Sequence, residues 1–537
     1  MTTVREATHD LLRHWGLTTV FGNPGSNELP FLDRFPDDFR YVLGLHEGAV
    51  LAMADGYAQA TGRPALVNLH AAAGLGHAMG NLANASASHT PLVVTAGQQA
   101  RSLIGLGAML AEPALTRVPE PHVKWSFEPA RPQDVPRALS EAFHLATLPP
   151  TGPVFVSVPL DDWGQEIDPD DVAPLATRRV HRSGAPTDEA VTELAARLRQ
   201  ARRPALVVGP EADDERAYPL VVELAERLGS PVWVAPSPSR CPFPTRHPLW
   251  AGALPTGIAG VAGRLAGHDL VLVLGAPVFR YHANQPGPWL PEGTEVVAVT
   301  GDPQNAARAP FGDAVLGEVG ETVSRLLEAL PPGHAPHNAT ATQAHEEALV
   351  SGADPMGAER LFALMARELP NGVRMVNEST SNMPEFWSHV RLDRPRSLFL
   401  AAAGGLGFGL PAAVGVALAD PNRPVVAVLG DGAVQYGVAG LWTAVQLNLP
   451  ITFVVLRNGG YEALQIFASH LGSVGTPGMD LPDLDAVAIA QAYGMPAERL
   501  MEAGEIAAAL ARTSAQAGPR LLEVPIKQSA ASAGDRR

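Results

Sequence analysis

Along this chain a short β-branched run, a glycine-rich turn and a stretch of helical spacing follow one another repeatedly. That order predicts parallel α/β units. The pattern falls into three blocks. In the first, TTVFGNPGS (18–26), PALVNLHAAAG (64–74), PLVVTAGQQ (91–99) and GPVFVSVP (152–159) are predicted strands, each running into a loop. Between the first two, Glu47, Val50, Leu51, Ala54 and Ala58 recur at helical spacing. PALVVGP (204–210), SPVWVAP (230–236), DLVLVLGAP (269–277) and TEVVAVTGD (294–302) predict a second sheet. VRMVNEST (373–380), RPVVAVLGDGA (423–433), ITFVVLRNGG (451–460) and PRLLEVPI (519–526) predict a third. The expected fold class is α/β, with three doubly wound parallel-sheet domains at 1–180, 181–340 and 341–537. Residues 167–188 and 331–347 read as linkers, and the tail 529–537 as frayed. The first and third blocks share a layout, as two halves of a duplicated design would.

Composition refines this picture. A chain of 537 residues is too long for one core, which agrees with several domains. The net charge of −16 argues against a nucleic-acid or anionic-membrane partner. One cysteine, Cys241, allows no intramolecular disulfide and suits a reducing, cytoplasmic setting. The opening MTTVREATHD lacks the apolar segment of a signal peptide. The uncharged stretch 398–419 is long enough to span a bilayer. Its five glycines and Pro411 assign it to buried α/β core instead.

In open α/β sheets, ligands bind beyond the carboxyl ends of the strands, so the residues there are the candidates. Gly430-Asp431-Gly432 follows one predicted strand, and Asn458 follows the next. Asp431, Asn458 and a backbone carbonyl near Gly460 make a hard oxygen set. Such a set suits Mg²⁺, with Ca²⁺ as a substitute and phosphate oxygens and water completing the shell. Read alone, the GDG run is also an ordinary βα turn. His70 and His282 end two further predicted strands. Ser26 stands in a strand-to-helix turn, where serine commonly caps a helix. Glu47 interrupts an otherwise small and apolar helix, and a helix-surface carboxylate is the ordinary reading of it. His46 and His89 read as structural.

The pairing of GDGA (430–433) with RNGGYEAL (457–464) matches a thiamine diphosphate signature. It is accompanied by VFGNPGSNELPFLDRFPDDFRY (20–41), ADGYAQA (54–60), APSPSRCPFPTRHP (235–248), GAPVFRYH (275–282), NESTS (377–381) and AAGGLGFGLPAA (402–413). Over nearly its whole length the chain resembles the thiamine diphosphate-dependent 2-oxo acid decarboxylases, and among them the benzoylformate decarboxylases most. The resemblance implies pyrimidine-binding, central and diphosphate-binding domains. It implies that Glu47 hydrogen-bonds the aminopyrimidine ring and so helps generate the cofactor's carbon nucleophile. Leu406 would wedge the cofactor into its bent shape, with Asn377, Gly404, Gly430, Gly432, Ala433 and Tyr461 around it. His70 and His282 would transfer protons, and Ser26 would bind the substrate carboxylate.

The implied reaction takes a 2-oxo acid to an aldehyde and CO₂, with carboligation to 2-hydroxy ketones as an alternative. Glu47 would face a cofactor held by another subunit. The resemblance therefore implies a homo-oligomer with shared sites, expected as a tetramer built from two dimers. An acetolactate synthase-like enzyme is a further alternative. No G-x-G-x-x-G follows a strand in the middle block, so FAD is not expected.

The substrate pocket implied by the resemblance comprises Ser26, Leu110, Met383, Leu400, Ala401, Leu464, Ile466 and Phe467. Four of these depart from the benzoylformate pattern. Met383 replaces a threonine, Leu400 an aromatic residue, Ala401 a cysteine and Ile466 a tryptophan. Losing two ring neighbours changes the pocket's volume and contacts, which points to a larger aryl or a branched side chain on the substrate. Ala433 replaces a serine, with at most about 1.5–3 kcal/mol of hydrogen bonding lost. Arg457 replaces an asparagine and either adds charge near the cofactor or faces solvent.

Overall fold

The computed structural model describes residues 2–181, 184–332, 356–515 and 517–528. The expected frayed tail and most of the second linker lie outside these residues. Strands β1 (Thr19–Gly22), β2 (Arg40–Leu43), β3 (Ala65–Leu69), β4 (Leu92–Gln98), β5 (Ser126–Phe127) and β6 (Val154–Pro159) form the first sheet, in the order β2-β1-β3-β4-β6-β5. The second sheet contains β7 (Pro204–Val208), β8 (Val232–Val234), β9 (Trp250–Ala253), β10 (Leu270–Leu274), β11 (Glu295–Thr300) and β12 (Asp313–Leu316), ordered β9-β8-β7-β10-β11-β12. The third contains β13 (Arg374–Glu378), β14 (Leu398–Leu400), β15 (Val425–Gly430), β16 (Ile451–Arg457), β17 (Ala497–Arg499) and β18 (Arg520–Pro525), ordered β14-β13-β15-β16-β18-β17. Every neighbouring pair in the three sheets is parallel. The first and third sheets share one strand order, as the repeated layout predicted. In both, the order reverses between the first and third strands, which is where such sheets open a ligand crevice.

Five helices matter for the site: α1 (Glu47–Thr61), α2 (Ala71–Ala87), α3 (Gly409–Ala419), α4 (Asp431–Gly437) and α5 (Glu462–His470). Helical spacing alone would give α1 one apolar face. Instead every residue of α1 except Tyr57 and Thr61 is buried. The helix is enclosed by the first sheet, by α2, and by α3 from the third domain. Small residues make this possible. A Cβ on Gly415 would stand 1.8 Å from the Met53 carbonyl oxygen, and one on Gly56 2.3 Å from that of Ala412. The two domains consequently share one core, in which Phe21, Val67 and Leu75 meet Val414, Val425 and Phe453. A second core joins Leu272 and Val299 of the middle domain to Leu361, Leu398 and Val454.

A buried polar junction ties all three domains. The Arg240 Nε donates to Gln59 Oε1 (2.9 Å) and its terminal nitrogen to Asp213 (3.1 Å). The guanidinium carbon sits 5.1 Å from the Phe399 ring centre. Asp55, fully buried beside them, accepts from Gln59 and Thr90, both at 2.6 Å. Burial pushes its pKa up to about 6.

The first linker is shorter than expected. Ile167 pairs with Thr2, and Pro169–Thr177 is a helix whose Val172 enters the first domain's core. Asp168 caps it by accepting the Asp170 N–H (3.0 Å), with Pro169 in the first helical position. An acidic, proline-containing run is thus a helix start here. The uncharged stretch 398–419 supplies β14 and the buried α3. Among the described residues, no helix is long and apolar enough to cross a membrane.

Candidate active site

β15 and β16 run in register, with Gly430 opposite Leu456, so their carboxyl ends adjoin. Asp431 begins α4 immediately beyond. Its two oxygens accept the N–H groups of Gly432 and Gly459, each at 2.8 Å. Burial pushes the Asp431 pKa up, opposed by backbone donors at Gly459, Gly432 and Asn458 and by the charge of Arg457. Asn458 donates through Nδ2 to Glu462 Oε2 (2.7 Å), which fixes its other atom as an oxygen acceptor. Glu462 carries no signal of this role in the sequence. Arg457 reaches 3.7 Å from Glu523 Oε1, so it is paired and still acts on Asp431. Asn377, at the end of β13, accepts the Ser379 N–H (2.7 Å) and hydroxyl (2.8 Å). Its buried Nδ2 has no hydrogen-bond partner among the described residues. Two fixed hard oxygens and a buried donor lacking an acceptor fit a divalent cation with a diphosphate. Gly432 is confined, since a Cβ there would lie 2.7 Å from the Tyr461 ring. The Tyr461 hydroxyl hydrogen-bonds Tyr436, which raises its pKa. Ala433 is buried.

Leu406 is half-buried, on a loop that enters left-handed backbone at Gly404 (φ 74°) and Gly407 (φ 92°). α2 holds this loop. Asn84 Oδ1 accepts from the Ala403 (3.0 Å) and Gly405 (3.2 Å) N–H groups, and Asn81 Nδ2 donates to the Gly407 carbonyl (3.3 Å). From below, Glu378 accepts the Phe408 N–H (3.1 Å). Full burial pushes the Glu378 pKa up to about 8, against donors at Gly409, Phe408 and Gly407. Sequence reasoning singled out none of these three anchors.

In the first domain, β1 and β3 end side by side. Glu28, in the loop after β1, is buried and accepts from the N–H groups of Gly97 (2.8 Å) and Gly25 (3.0 Å). His70 Nδ1 lies 2.7 Å from Glu28 Oε2, the oxygen that also accepts the Gly25 N–H. The carboxylate therefore holds the Nδ1 proton and leaves Nε2 to face a ligand. A Cβ on Gly25 would come within 2.0 Å of the His70 ring, so that glycine is required. Ser26 is exposed, with its hydroxyl 3.3 Å from Asn27 Oδ1. It caps no helix, because the next one, Leu29–Leu32, has Glu28 at its cap position. Glu47 is only 8% exposed. Asn23 Nδ2 donates to its Oε1 (3.3 Å), and His77 Nδ1 lies 3.1 Å from its Oε2. His46 caps α1 by accepting the Gly48 N–H (3.1 Å), and its ring stacks on His77. Glu28 and His77 were both missed from sequence.

His282 is exposed in the loop after β10, with its ring centre 5.3 Å from that of Phe467 on α5. Leu464 and Ile466 share that helix, and Leu464 is exposed. Leu110 stands on left-handed backbone (φ 68°) and Ala401 is half-buried. Leu400 is buried in the core shared with the middle domain, against which Met383 packs. Met383 is half-buried. His89 Nε2 is 3.5 Å from Asp302, bridging first and middle domains as a structural residue.

Three family models cover the chain in order. Residues 2–117 match the N-terminal TPP binding domain of thiamine pyrophosphate enzymes, 191–326 their central domain, and 379–524 their C-terminal TPP binding domain. Benzoylformate decarboxylase of Pseudomonas aeruginosa is 52% identical over 98% of this chain and 99% of that protein. Acetolactate synthase isozyme 3 large subunit of Escherichia coli is 29% identical over 82% of this chain and 80% of its own. Among solved structures, a thiamine diphosphate-dependent 4-hydroxybenzoylformate decarboxylase of Rhodococcus jostii superposes with a TM-score of 0.95, at 48% identity, over 98% of this chain and all of that one. Benzoylformate decarboxylase of Polynucleobacter necessarius gives 0.94 at 38% identity, over 98% and 99%. The chain belongs to the thiamine pyrophosphate enzyme family, as a homologue of the benzoylformate decarboxylases.

Proposed function

We propose that this protein decarboxylates an aryl or similarly bulky 2-oxo acid of the benzoylformate type, giving an aldehyde and CO₂. The carrying observation is the fixed oxygen pair of Asp431 and Asn458 on adjoining strand ends, with Glu47 and the Glu28–His70 pair on the sister sheet. Asp431, Asn458 and the Gly460 carbonyl would hold Mg²⁺. Asn377, Gly404, Gly430, Gly432, Ala433 and Tyr461 would surround thiamine diphosphate, with Leu406 beneath it. When bound, that cofactor supplies a carbon nucleophile and an electron sink for loss of CO₂. Glu47 holds a proton at the aminopyrimidine ring nitrogen. Ser26 donates to the substrate carboxylate. His70, through Nε2, and His282 move protons at the substrate oxygen and carbon. Leu110, Leu464, Ile466 and Phe467 enclose the side chain, with Met383, Leu400 and Ala401 behind them. Carboligation would use the same groups.

We divide the chain into pyrimidine-binding (1–180), central (181–340) and diphosphate-binding (341–537) domains. From the likeness to the decarboxylases we read the active unit as a dimer in which Glu47 faces a cofactor held by the partner subunit, and the assembly as a tetramer in the cytoplasm. Exposed Leu29, Leu45, Tyr436 and Leu471 supply apolar surface for such contacts. Asp431→Ala should weaken Mg²⁺-dependent thiamine diphosphate binding at least about tenfold while the chain stays folded. A calorimetric titration checks this. Unchanged affinity would sink the metal assignment.

A further inference from the structure

Glu47 carries two histidines for which the proposed reaction has no use. His46 precedes it at the cap of α1, and His77 reaches it from α2. One ligand atom from each of the three lies within 4.8 Å of the other two. Glu47 Oε2 and His77 Nδ1 are already 3.1 Å apart, close to the separation of two ligands each about 2.0–2.1 Å from one tetrahedral ion. The His46 and His77 ring centres stand 5.3 Å apart with planes 20° from parallel, so a turn of one ring brings both in-plane nitrogens toward one ion. Within the single chain both rings are exposed and free to turn, while the carboxylate between them is buried and fixed. We propose that His46, Glu47 and His77 form a second metal site, for a borderline divalent ion such as Zn²⁺.

The donor set decides the ion. Two imidazole nitrogens and one carboxylate oxygen favour Zn²⁺, Ni²⁺ or Cu²⁺ over Mg²⁺, and three protein ligands leave a position open to water. The all-oxygen set at Asp431 and Asn458 has the opposite preference. Excess Mg²⁺ therefore separates the two sites. Coordination through His46 Nδ1 displaces the Gly48 N–H that it now accepts, so binding competes with one helix-cap hydrogen bond. An ion here commits Glu47 as an anionic ligand, and the carboxyl can no longer hold a proton at the cofactor ring. This inhibitory consequence rests on the role proposed for Glu47; the site itself does not.

The test uses full-length protein stripped of cofactor and metal, kept in excess Mg²⁺ and titrated with Co²⁺. One Co²⁺ per chain with visible d–d bands, displaced by Zn²⁺, is expected. His77→Asn and His46→Gln each remove one imidazole and keep a polar side chain, and each should weaken Co²⁺ binding at least about tenfold. If one variant fails to fold, the other carries the comparison. Co²⁺ binding that survives in the folded variants, or is absent from the parent, overturns the site. Zn²⁺ should also slow reactivation by added thiamine diphosphate at least about tenfold in the parent, with most of that effect lost in His77→Asn. Site-dependent Co²⁺ binding with no effect on reactivation would uphold the site and remove Glu47 from cofactor activation.

Discussion

Glu28 shows how the chemistry of one residue is set by another far along the chain. It sits 42 positions before His70 and holds that ring at 2.7 Å while itself locked by backbone donors. Glu28→Gln keeps the volume but loses the acceptor that fixes the Nδ1 proton. It should lower kcat on the order of 10²-fold with a smaller change in KM, measured by steady-state kinetics. Equal kcat would mean that His70 needs no such partner.

Glu378 makes a prediction about stability. Its pKa is raised to about 8 by burial, so the folded chain keeps a proton that the unfolded chain loses in the ordinary carboxylate range. That contribution is complete at low pH and disappears as pH rises through about 8. The urea midpoint of the parent should therefore fall between pH 6 and 9, and that of Glu378→Gln should fall less. Parallel slopes would contradict the assignment. The placement of Asp431 and Asn458 beyond adjoining strand ends was legible in the sequence because each follows a strand at a recognisable spacing. Glu28, Glu378 and His77 were not, because their partners are brought to them by sheet order and helix packing.

At the scale of elements, the packing of α1 on α3 depends on absent side chains. Alanine normally gains up to about 1 kcal/mol over glycine within a helix. At Gly415 the added Cβ would meet the Met53 carbonyl at 1.8 Å, an overlap with backbone that no side-chain rotation relieves. Overpacking of this kind costs about 1–3 kcal/mol or more, so Gly415→Ala should lower the thermal midpoint. Gly504 is a helical control with nothing within 4 Å of its Cβ position, and Gly504→Ala should not lower it. If the two variants behave alike, the close approach is not limiting. The parallel strands were legible as continuous apolar runs bounded by glycine. The all-round burial of α1 was not, since spacing within a helix cannot reveal a second domain packed on its other face. The helix Pro169–Thr177 was misread because its acidic, proline-containing start resembles a linker in composition.

On the scale of the whole molecule, two sheets of one strand order flank a middle sheet of another, and the three are joined by shared cores and by the Arg240 junction. The sister sheets divide the candidate site residues. One presents Glu47, His70 and Ser26, and the other presents Asp431, Asn458 and the Leu406 loop. The number of domains was legible because each is a complete set of strand-and-turn units. Their mutual packing was not, because it rests on cores and contacts between residues far apart in the chain, such as Arg240 with Gln59, 181 positions apart.

The account is tested most directly by measuring aldehyde and CO₂ released from benzoylformate by the full-length protein with Mg²⁺ and thiamine diphosphate. Pyruvate and branched-chain and indole-type 2-oxo acids serve as comparisons. The account predicts equal amounts of aldehyde and CO₂ from an aryl or bulky acid, with the rate reduced at least about 10²-fold in Glu47→Gln. A Glu47→Gln chain that turns over normally would contradict it, as would no release from any of these acids by protein that demonstrably holds both cofactor and metal.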